Sequence, residues 1–401
     1  MKNKKSNKSL LWIIIFALLL VIYIVVALIS SRPKLSAVPQ AIPLAKITAT
    51  AITWPSYGQS AIGAAGQGLI ATNNEQKSAP IASIAKTILA LSVIKEKPLA
   101  LGEQGPTYSI TQNDIDLYKS NLAQNGSVMP VKLNGQLSEY QLLEGLLIPS
   151  GDNIADTLAI WTFGSMENYV AYANDFVAKL GLKNTHIADA GGLSPQTVSS
   201  AADLVVIGEK LLADPVLASV VAQSQVELPV IGITNNYNTL LGQNGIIGIK
   251  TGNTDEAGGC LLSASKQNIG GHDETIVLAI LGAPNRAQVL NDTSSFYTNN
   301  GNALQLLDVV KAGQAIGEYP TPWGKSIKIL AKNDVAILAT NKEEITFKSN
   351  FSELQKSAAK NSDVGNLVIV AGPSEILVPA VLENKFTSAP FWWKLFHPFK
   401  K

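Results

Sequence analysis

Five serines in the chain are each followed by a lysine three residues later, a spacing that can pair a nucleophile with its own base. A serine hydroxyl is a weak nucleophile at neutral pH and needs a base within reach. On a helix, positions i and i+3 lie on one face, so a neutral lysine amine can reach the hydroxyl. Burial and a second nearby cation favour the neutral amine. The pairs are Ser31/Lys34, Ser83/Lys86, Ser92/Lys95, Ser263/Lys266 and Ser357/Lys360.

The predicted elements select Ser83 as the nucleophile. It opens a helix predicted from about residue 82 to residue 94. At that position the helix N-terminus stabilises developing negative charge, and a backbone N–H can serve an oxyanion. The other four serines lie in less suitable places: inside that same helix, in a strand whose i and i+3 positions point to opposite faces, in a proline-containing segment and in a β-rich region.

Two further motifs carry groups that suit the same chemistry. Lys250-Thr251-Gly252 places an ammonium, a hydroxyl and a glycine that lets a ligand approach on a predicted strand edge, which fits a terminal carboxylate. Ser150-Gly151-Asp152-Asn153 leads into a helix, where Ser150 is either an ordinary N-cap or a proton-relaying hydroxyl. In this order along the chain, the three motifs together are far more specific than any one of them.

The ordered motifs resemble the serine D-Ala-D-Ala carboxypeptidases, which are the low-molecular-mass penicillin-binding proteins of the SxxK acyltransferase family. The resemblance covers roughly residues 50–312. Residues 80–86 resemble the family's nucleophile segment, residues 181–204 its central block and residues 238–258 its Lys-Thr-Gly block. The segment 314–385 is similar only in its β-rich character and position.

The resemblance implies an acyl-enzyme mechanism acting on the D-Ala-D-Ala end of a peptidoglycan stem peptide, with β-lactams as inhibitors and no cofactor. It implies that the backbone N–H groups of Ser83 and Asn253 form the oxyanion hole. The implied site residues are Ser83 as nucleophile, Lys86 as base, Ser150 as proton relay, and Asp152, Lys250, Thr251, Gly252 and Asn253 as substrate-binding residues.

One position departs from the family pattern, which is usually Ser-x-Asn in the middle motif. Here the third residue is Asp152, and an asparagine follows at position 153. Either Asp152 substitutes, accepting hydrogen bonds from Lys86 but donating none, or the loop shifts so that Asn153 serves.

Other functions on the same site remain open. A class A β-lactamase needs a glutamate to activate the deacylating water, and no glutamate occurs between Glu167 and Glu209, where that loop should fall. A transpeptidase would release the acyl-enzyme with an amine instead of water. Asp152 is the one feature that favours a catalytically weak β-lactam sensor or scaffold.

The two ends of the chain predict a membrane protein. Residues 10–29 form an uncharged apolar run long enough to cross a bilayer, preceded by Lys2, Lys4, Lys5 and Lys8. The positive-inside rule then places everything after residue 31 outside the cytoplasm, in a single-pass protein of the cell membrane. A cleaved signal peptide is the alternative. Residues 386–401 mix aromatics with lysines, and either lie on the lipid bilayer or pack on their own domain.

Between the ends, strands predicted at 59–65, 68–72, 246–251, 260–265 and 275–281 enclose a helical middle. This pattern predicts an α/β (α+β) sandwich, which the resemblance identifies as the β-lactamase/penicillin-binding transpeptidase type. Residues 285–310 are predicted to be largely helical. The predicted divisions are an anchor (1–30), an extended tether (31–47), a catalytic domain (48–313), a small β domain (314–385) and a tail (386–401).

Composition excludes other classes. The net charge is +1 and there is no basic stripe, so a nucleic-acid partner is not expected. The three histidines are far apart in the sequence, which disfavours a histidine metal site. Cys260, the single cysteine, lies in an apolar run and is predicted to be a buried small hydrophobe.

Overall fold

The structure is a computed structural model that describes residues 6–30, 33–342, 344–355, 357–387 and 389–398. The helices are α1 (Ser6–Ser30), α2 (Ala85–Glu96), α3 (Gln112–Ala123), α4 (Glu139–Leu147), α5 (Asp152–Phe163), α6 (Met166–Lys179), α7 (Ala201–Ala213), α8 (Pro215–Val221), α9 (Arg286–Asn299) and α10 (Phe391–Phe396). A 3₁₀ turn (Ala82–Ile84) precedes α2.

The strands are short in the first half of the chain and longer after residue 246. They are β1 (Val38–Pro39), β2 (Gln59–Ala64), β3 (Gly68–Asn73), β4 (Ala79–Pro80), β5 (Thr107–Ser109), β6 (Gln136–Ser138), β7 (Val198–Ser199), β8 (Gln225–Leu228), β9 (Gly232–Asn235), β10 (Ile246–Thr254), β11 (Gly258–Ile269), β12 (His272–Ala283), β13 (Gln305–Val310), β14 (Ala315–Pro320), β15 (Ser326–Ala331), β16 (Val335–Ala339), β17 (Ile345–Phe351), β18 (Asp363–Ala371) and β19 (Ser374–Leu382).

The central sheet is antiparallel, with strand order β10-β11-β12-β2-β3. It joins strands from both sides of the helical middle, which confirms the predicted sandwich. The alternation along β12 separates the two faces. Val277 and Ala279 pack into the core that contains α2 and α7, whereas Leu278 and Ile280 pack into a core with α9.

Helix α2 is the centre of the larger core. Every residue from Ala85 to Ile94 is buried, because α4, α5, α6 and α7 surround the helix. Such all-round burial is typical of a central helix with no solvent-facing side. Lys86 is the one charged residue in that buried stretch, so its ammonium must find partners inside the protein.

The β-rich region after the central domain has its own core, which confirms the predicted C-terminal β domain. Six strands form a sheet in the order β1-β14-β15-β19-β18-β17, and β13 pairs with β16 beside it. The buried side chains include Ile316, Ile329, Ile369 and Val378.

The helical prediction for residues 285–310 is wrong in its second half. Helix α9 ends at Asn299, and residues 305–310 form β13, antiparallel to β16. Leu307, Val309 and Val310 lie in the core of the C-terminal domain. The chain turns at 300–302, where Asn-Gly-Asn follows the helix, and β-branched residues then suit a strand.

The extended conformation predicted for residues 31–47 is observed from residue 33 onward, but the segment is not a free tether. Val38 and Pro39 form β1, an edge strand of the C-terminal sheet. Leu35 exchanges backbone hydrogen bonds with Leu354 and is buried. The apolar side chains of this segment are the reason: they cover one end of the C-terminal core.

Helix α1 contains an apolar stretch, Lys8–Ile29, that is long enough to cross a membrane and is almost entirely exposed. Near its C-terminal end, the Tyr23 hydroxyl donates to the Leu395 carbonyl of α10 at 2.8 Å. Trp393 of α10 in turn packs edge-on against Trp323, with ring centroids 5.4 Å apart. The two ends of the described chain therefore meet beside the C-terminal domain.

Candidate active site

Ser83 lies in the 3₁₀ turn that leads into α2, and Lys86 lies in the first turn of that helix. Their side chains meet, as the spacing predicts: Lys86 Nζ is 2.9 Å from Ser83 Oγ. Ser83 remains partly accessible while Lys86 is fully buried. A hydroxyl that a ligand can reach is thus paired with an amine shielded from water.

The Lys86 ammonium has two further partners, one of which sequence reasoning missed. Its Nζ lies 2.5 Å from Asp152 Oδ1 and donates to the Gly191 carbonyl at 2.8 Å. A Cβ at Gly191 would stand 2.7 Å from Asp152 Oδ1, so glycine is required for this close approach. Gly191 lies in residues 181–204, which resemble the family's central block, but no local sequence pattern predicts that its carbonyl contacts a lysine.

The structure places Asp152, and not Asn153, beside Lys86. Asn153 points away: its Oδ1 accepts from the Met129 N–H at 2.9 Å and its Nδ2 donates to the Met129 carbonyl at 3.0 Å. This pair of hydrogen bonds fixes the start of α5 against the preceding loop. Asp152 itself is the first residue of α5 and is buried.

Ser150 is held in a left-handed backbone conformation, with φ at 62°. Its Oγ is buried and has no hydrogen-bond partner within the described parts of the chain. It does not cap α5, because Gly151 occupies the N-cap position. A buried hydroxyl without a partner costs free energy unless a ligand or a water completes it, which suits a relay better than an ordinary cap.

Lys250, Thr251 and Gly252 lie on β10, the edge strand that runs past Ser83. A Cβ on Gly252 would stand 2.8 Å from the Ile81 carbonyl and 3.2 Å from the Ser83 nitrogen, so only glycine lets the strand approach this closely. Lys250 Nζ donates to the Thr251 carbonyl at 3.1 Å. Burial, together with the positive charge of Lys86, holds the pKa of Lys250 well below its ordinary value.

Asn253 follows on β10 and is exposed at the edge of an open groove of about 930 Å³. Arg286, the first residue of α9, lines the same groove and lies over the Tyr237 ring at 4.7 Å. Its positive charge also lowers the Lys250 pKa. Sequence reasoning missed Arg286, since only the pairing of β10, β11 and β12 brings the start of α9 to the site.

Two of the other Ser-x-x-Lys serines have structural roles, and Ser357 is an exposed residue of the C-terminal region outside any helix or strand. Ser92 Oγ donates to the Ile88 carbonyl within α2. Ser263 Oγ is buried in β11 near Leu278 and Tyr297. Ser31 lies outside the described residues.

Cys260 is fully buried, and burial raises the pKa of its thiol to about 11. The thiol is therefore protonated at neutral pH, which confirms the prediction of a small buried hydrophobe.

A serine beside a buried lysine, with a second lysine on the adjacent strand edge, is the arrangement that the resemblance to the carboxypeptidases predicts. The sequence profile described as D-alanyl-D-alanine carboxypeptidase matches residues 59–285. The chain belongs to this family. The matched segment contains all eight residues proposed for the site and excludes the two ends and the C-terminal β domain.

Individual relatives in the family are distant. The D-alanyl-D-alanine carboxypeptidase DacA of Escherichia coli is 27% identical over 266 residues, which span 64% of this chain and 64% of that protein. The DacB2 protein of Mycobacterium tuberculosis is 31% identical over 196 residues, 47% of this chain and 63% of its own length. The chain thus spans just under two thirds of these relatives.

Solved structures match the fold more completely. Penicillin binding protein 5 from Haemophilus influenzae superposes with a TM-score of 0.65 at 21% identity, covering 87% of this chain and all of that one (100%). A D-alanyl-D-alanine carboxypeptidase from Mycobacterium tuberculosis matches with a TM-score of 0.54 at 25% identity, covering 65% of this chain and 95% of that one. These matches confirm the predicted penicillin-binding fold.

Proposed function

We propose that the protein is a serine D-Ala-D-Ala carboxypeptidase that removes the terminal D-alanine from peptidoglycan stem peptides. The observation that carries the proposal is the Ser83–Lys86 contact at 2.9 Å, placed beside the Lys-Thr-Gly strand in a chain of this family. The same nucleophile would open a β-lactam ring, so penicillins are expected to acylate Ser83 and inhibit the enzyme.

In the proposed reaction, neutral Lys86 accepts the Ser83 proton as Oγ bonds to the carbonyl carbon of the penultimate D-alanine. The backbone N–H groups of Ser83 and Asn253 stabilise the oxyanion. The proton then passes from Lys86 through the Ser150 hydroxyl to the leaving nitrogen as the peptide bond breaks. Water attacks the resulting ester and releases the shortened peptide.

We propose that Lys250 and Thr251 bind the terminal carboxylate of the substrate, with Arg286 as a third contributor. Two cations at one end of the site favour an anionic peptide terminus. The lowered Lys250 pKa supports this role, because a bound carboxylate would supply the counter-charge that the buried ammonium lacks.

The test combines penicillin labelling with a peptide assay on the full-length protein in detergent. Fluorescent penicillin is expected to label the wild type and not Ser83→Ala. Ser92→Ala is the matched control, since Ser92 has the same lysine spacing on the same helix but bonds only to the helix backbone. Mass spectrometry of a pentapeptide ending in D-Ala-D-Ala should then show the loss of one alanine.

Each alternative predicts a different result in the same assays. Labelling retained in Ser83→Ala would move the nucleophile elsewhere. Rapid release of the drug would indicate a β-lactamase, and a peptide joined to an added amine would indicate a transpeptidase. Stable labelling without any peptide turnover would indicate a β-lactam sensor.

We also propose that α1 spans the cell membrane and that the two globular domains lie outside the cytoplasm. The exposed apolar surface of α1 supports a lipid environment. The hydrogen bond to α10 is made by Tyr23, six residues before Ile29 and therefore about 9 Å from the end of the span. At that depth the exposed rings of Phe391, Trp392 and Phe396 would meet lipid near the headgroups.

A further inference from the structure

Lys86 Nζ has three polar neighbours, of which the carboxylate and the carbonyl only accept hydrogen bonds, whereas the hydroxyl can accept or donate. They are Ser83 Oγ at 2.9 Å, Asp152 Oδ1 at 2.5 Å and the Gly191 carbonyl at 2.8 Å. An ammonium has three N–H donors and no acceptor, so it satisfies this arrangement completely. A neutral amine has two donors and a lone pair, so it could donate to the carboxylate and the carbonyl and accept from the Ser83 hydroxyl. The carboxylate decides between the two forms, because a negative charge in direct contact and shielded from water favours the ammonium. In that form the Ser83 contact runs from lysine to serine, opposite to the direction that catalysis needs.

The Asp152 carboxylate is built closely into this site. Its side chain is 3% exposed and that of Lys86 is 0% exposed, so water screens their attraction little. Two glycines make room for it: a Cβ at Gly126 would stand 2.8 Å from Oδ2, and a Cβ at Gly191 would stand 2.7 Å from Oδ1. The Asp152 N–H also donates to the Ser127 carbonyl at 2.7 Å. The Asp152 carboxyl group is thus held in a fixed position in the site.

We infer that Asp152 sets the pH at which the enzyme is acylated, by holding Lys86 as the ammonium in the resting state. The inference rests on the proposed function, in which neutral Lys86 accepts the Ser83 proton. Before each turnover Lys86 must first release a proton to solvent, and a carboxylate in direct contact opposes that release. An asparagine has the same shape and keeps an acceptor oxygen toward Lys86, but it lacks the charge.

Other ionisable groups lie around the Lys86–Asp152 pair, but Asp152 is the carboxylate in direct contact with Lys86. Asp156 lies one turn further along α5, where it accepts from Asn121, and it interacts with Lys86 without a direct contact. Asp189 is a further carboxyl that interacts with Asp156. Lys250 on β10 and Arg286 on α9 are the basic groups on the opposite side of the site. Among the described residues, only Asp152 places a carboxylate within hydrogen-bond distance of Lys86.

The experiment measures the acylation rate by fluorescent penicillin across the acid and neutral pH range, with the full-length protein in detergent. Asp152→Asn should move the acid limb of the profile toward lower pH. On the wild-type acid limb the variant should therefore react about tenfold faster, as expected when an adjacent carboxylate charge is removed. At high pH the two rates should converge, because Lys86 is then neutral in both.

Asp152→Ser is a second variant that keeps a small polar residue at the first position of α5, and it should shift the limb in the same direction. Asp156→Asn is the matched control, which replaces another buried carboxyl of the same helix without touching Lys86 and should move the limb far less. Each profile is scaled to its own maximum, so a smaller folded fraction cannot imitate a shift.

Profiles that superimpose, or a limb that moves to higher pH, would overturn the inference and leave the proposed function intact. A wild-type protein that is not labelled at any pH would instead overturn the proposed function. An equal shift in Asp156→Asn would also overturn the inference, by showing that the general field of α5, and not the Asp152 contact, controls Lys86.

Discussion

At the scale of single residues, the site depends on glycines as much as on the groups that do chemistry. Gly191 and Gly252 carry no functional group, yet each allows a backbone to come close to Lys86 or to Ser83. The sequence predicts Gly252 as part of a motif, but its contact distance to Ser83 is a property of the folded chain. A larger side chain at either position is therefore expected to lower the reactivity of Ser83.

Gly252→Ala is expected to slow penicillin acylation by about 100-fold, since a misplacement of about 1 Å can have that effect on a reacting pair. The added Cβ would stand 2.8 Å from the Ile81 carbonyl, so β10 must move away from Ser83. Gly301→Ala is the control, because nothing lies within 4 Å of its Cβ position. Stopped-flow labelling compares the acylation rates of the two variants with that of the wild type. An unchanged rate in Gly252→Ala would show that β10 can accommodate the added Cβ without moving away from Ser83.

At the scale of elements, the most informative strand is β13, because it links the two domains. Its side chains Leu307 and Val309 pack with the C-terminal core, although the strand follows directly on α9 of the central domain. We therefore propose that the catalytic domain ends near residue 301 and not at residue 313. By this packing, β13 belongs to the β domain, although it directly follows the catalytic domain in the sequence.

Leu307→Ala tests this boundary. Leu307 is 2% exposed, so truncation should cost the β domain about 2–4 kcal/mol of stability. Limited proteolysis during heating should show earlier cleavage within residues 305–385, while the temperature at which penicillin labelling is lost stays the same. Leu377→Ala, at a position 62% exposed on β19, is the control and should change neither. A parallel loss of labelling in Leu307→Ala would place β13 in the catalytic domain.

At the scale of the whole molecule, segments near both ends of the described chain contact the C-terminal domain. Strand β1 joins its sheet soon after α1, and Trp393 of α10 packs on Trp323 of the same domain. If α1 crosses the membrane, this domain lies next to the bilayer. The catalytic domain is joined to it through residues 40–58 and the start of β13, and also contacts it through hydrogen bonds of Gln67 with Leu338 and of Ser374 with Leu69. The catalytic domain then lies further out.

Cysteine labelling tests the proposed topology. The chain has a single cysteine, which is buried, so introduced cysteines give a low background. Leu101→Cys, at a position 63% exposed on the catalytic domain, should react with a membrane-impermeant maleimide in intact spheroplasts. Lys4→Cys should react only after the membrane is permeabilised, because the lysine-rich end is expected in the cytoplasm. The reverse pattern would invert the topology, and absence of the Lys4→Cys segment from the mature protein would indicate a cleaved signal.

Local patterns in the sequence were enough to predict the helix that carries Ser83 and Lys86, the Lys-Thr-Gly strand, the apolar N-terminal helix and the α/β sandwich. Each depends on periodicity or on residue types a few positions apart, which act before any long-range contact forms. The choice between Asp152 and Asn153, the Gly191 carbonyl, Arg286 and the strand after α9 could not be predicted. Each is decided by contacts between residues far apart in the chain. A polar side chain at the start of α5 can face either Lys86 or the backbone amide of Met129. Which of the two it faces depends on which buried groups lack hydrogen-bond partners, and this is determined only in the folded core.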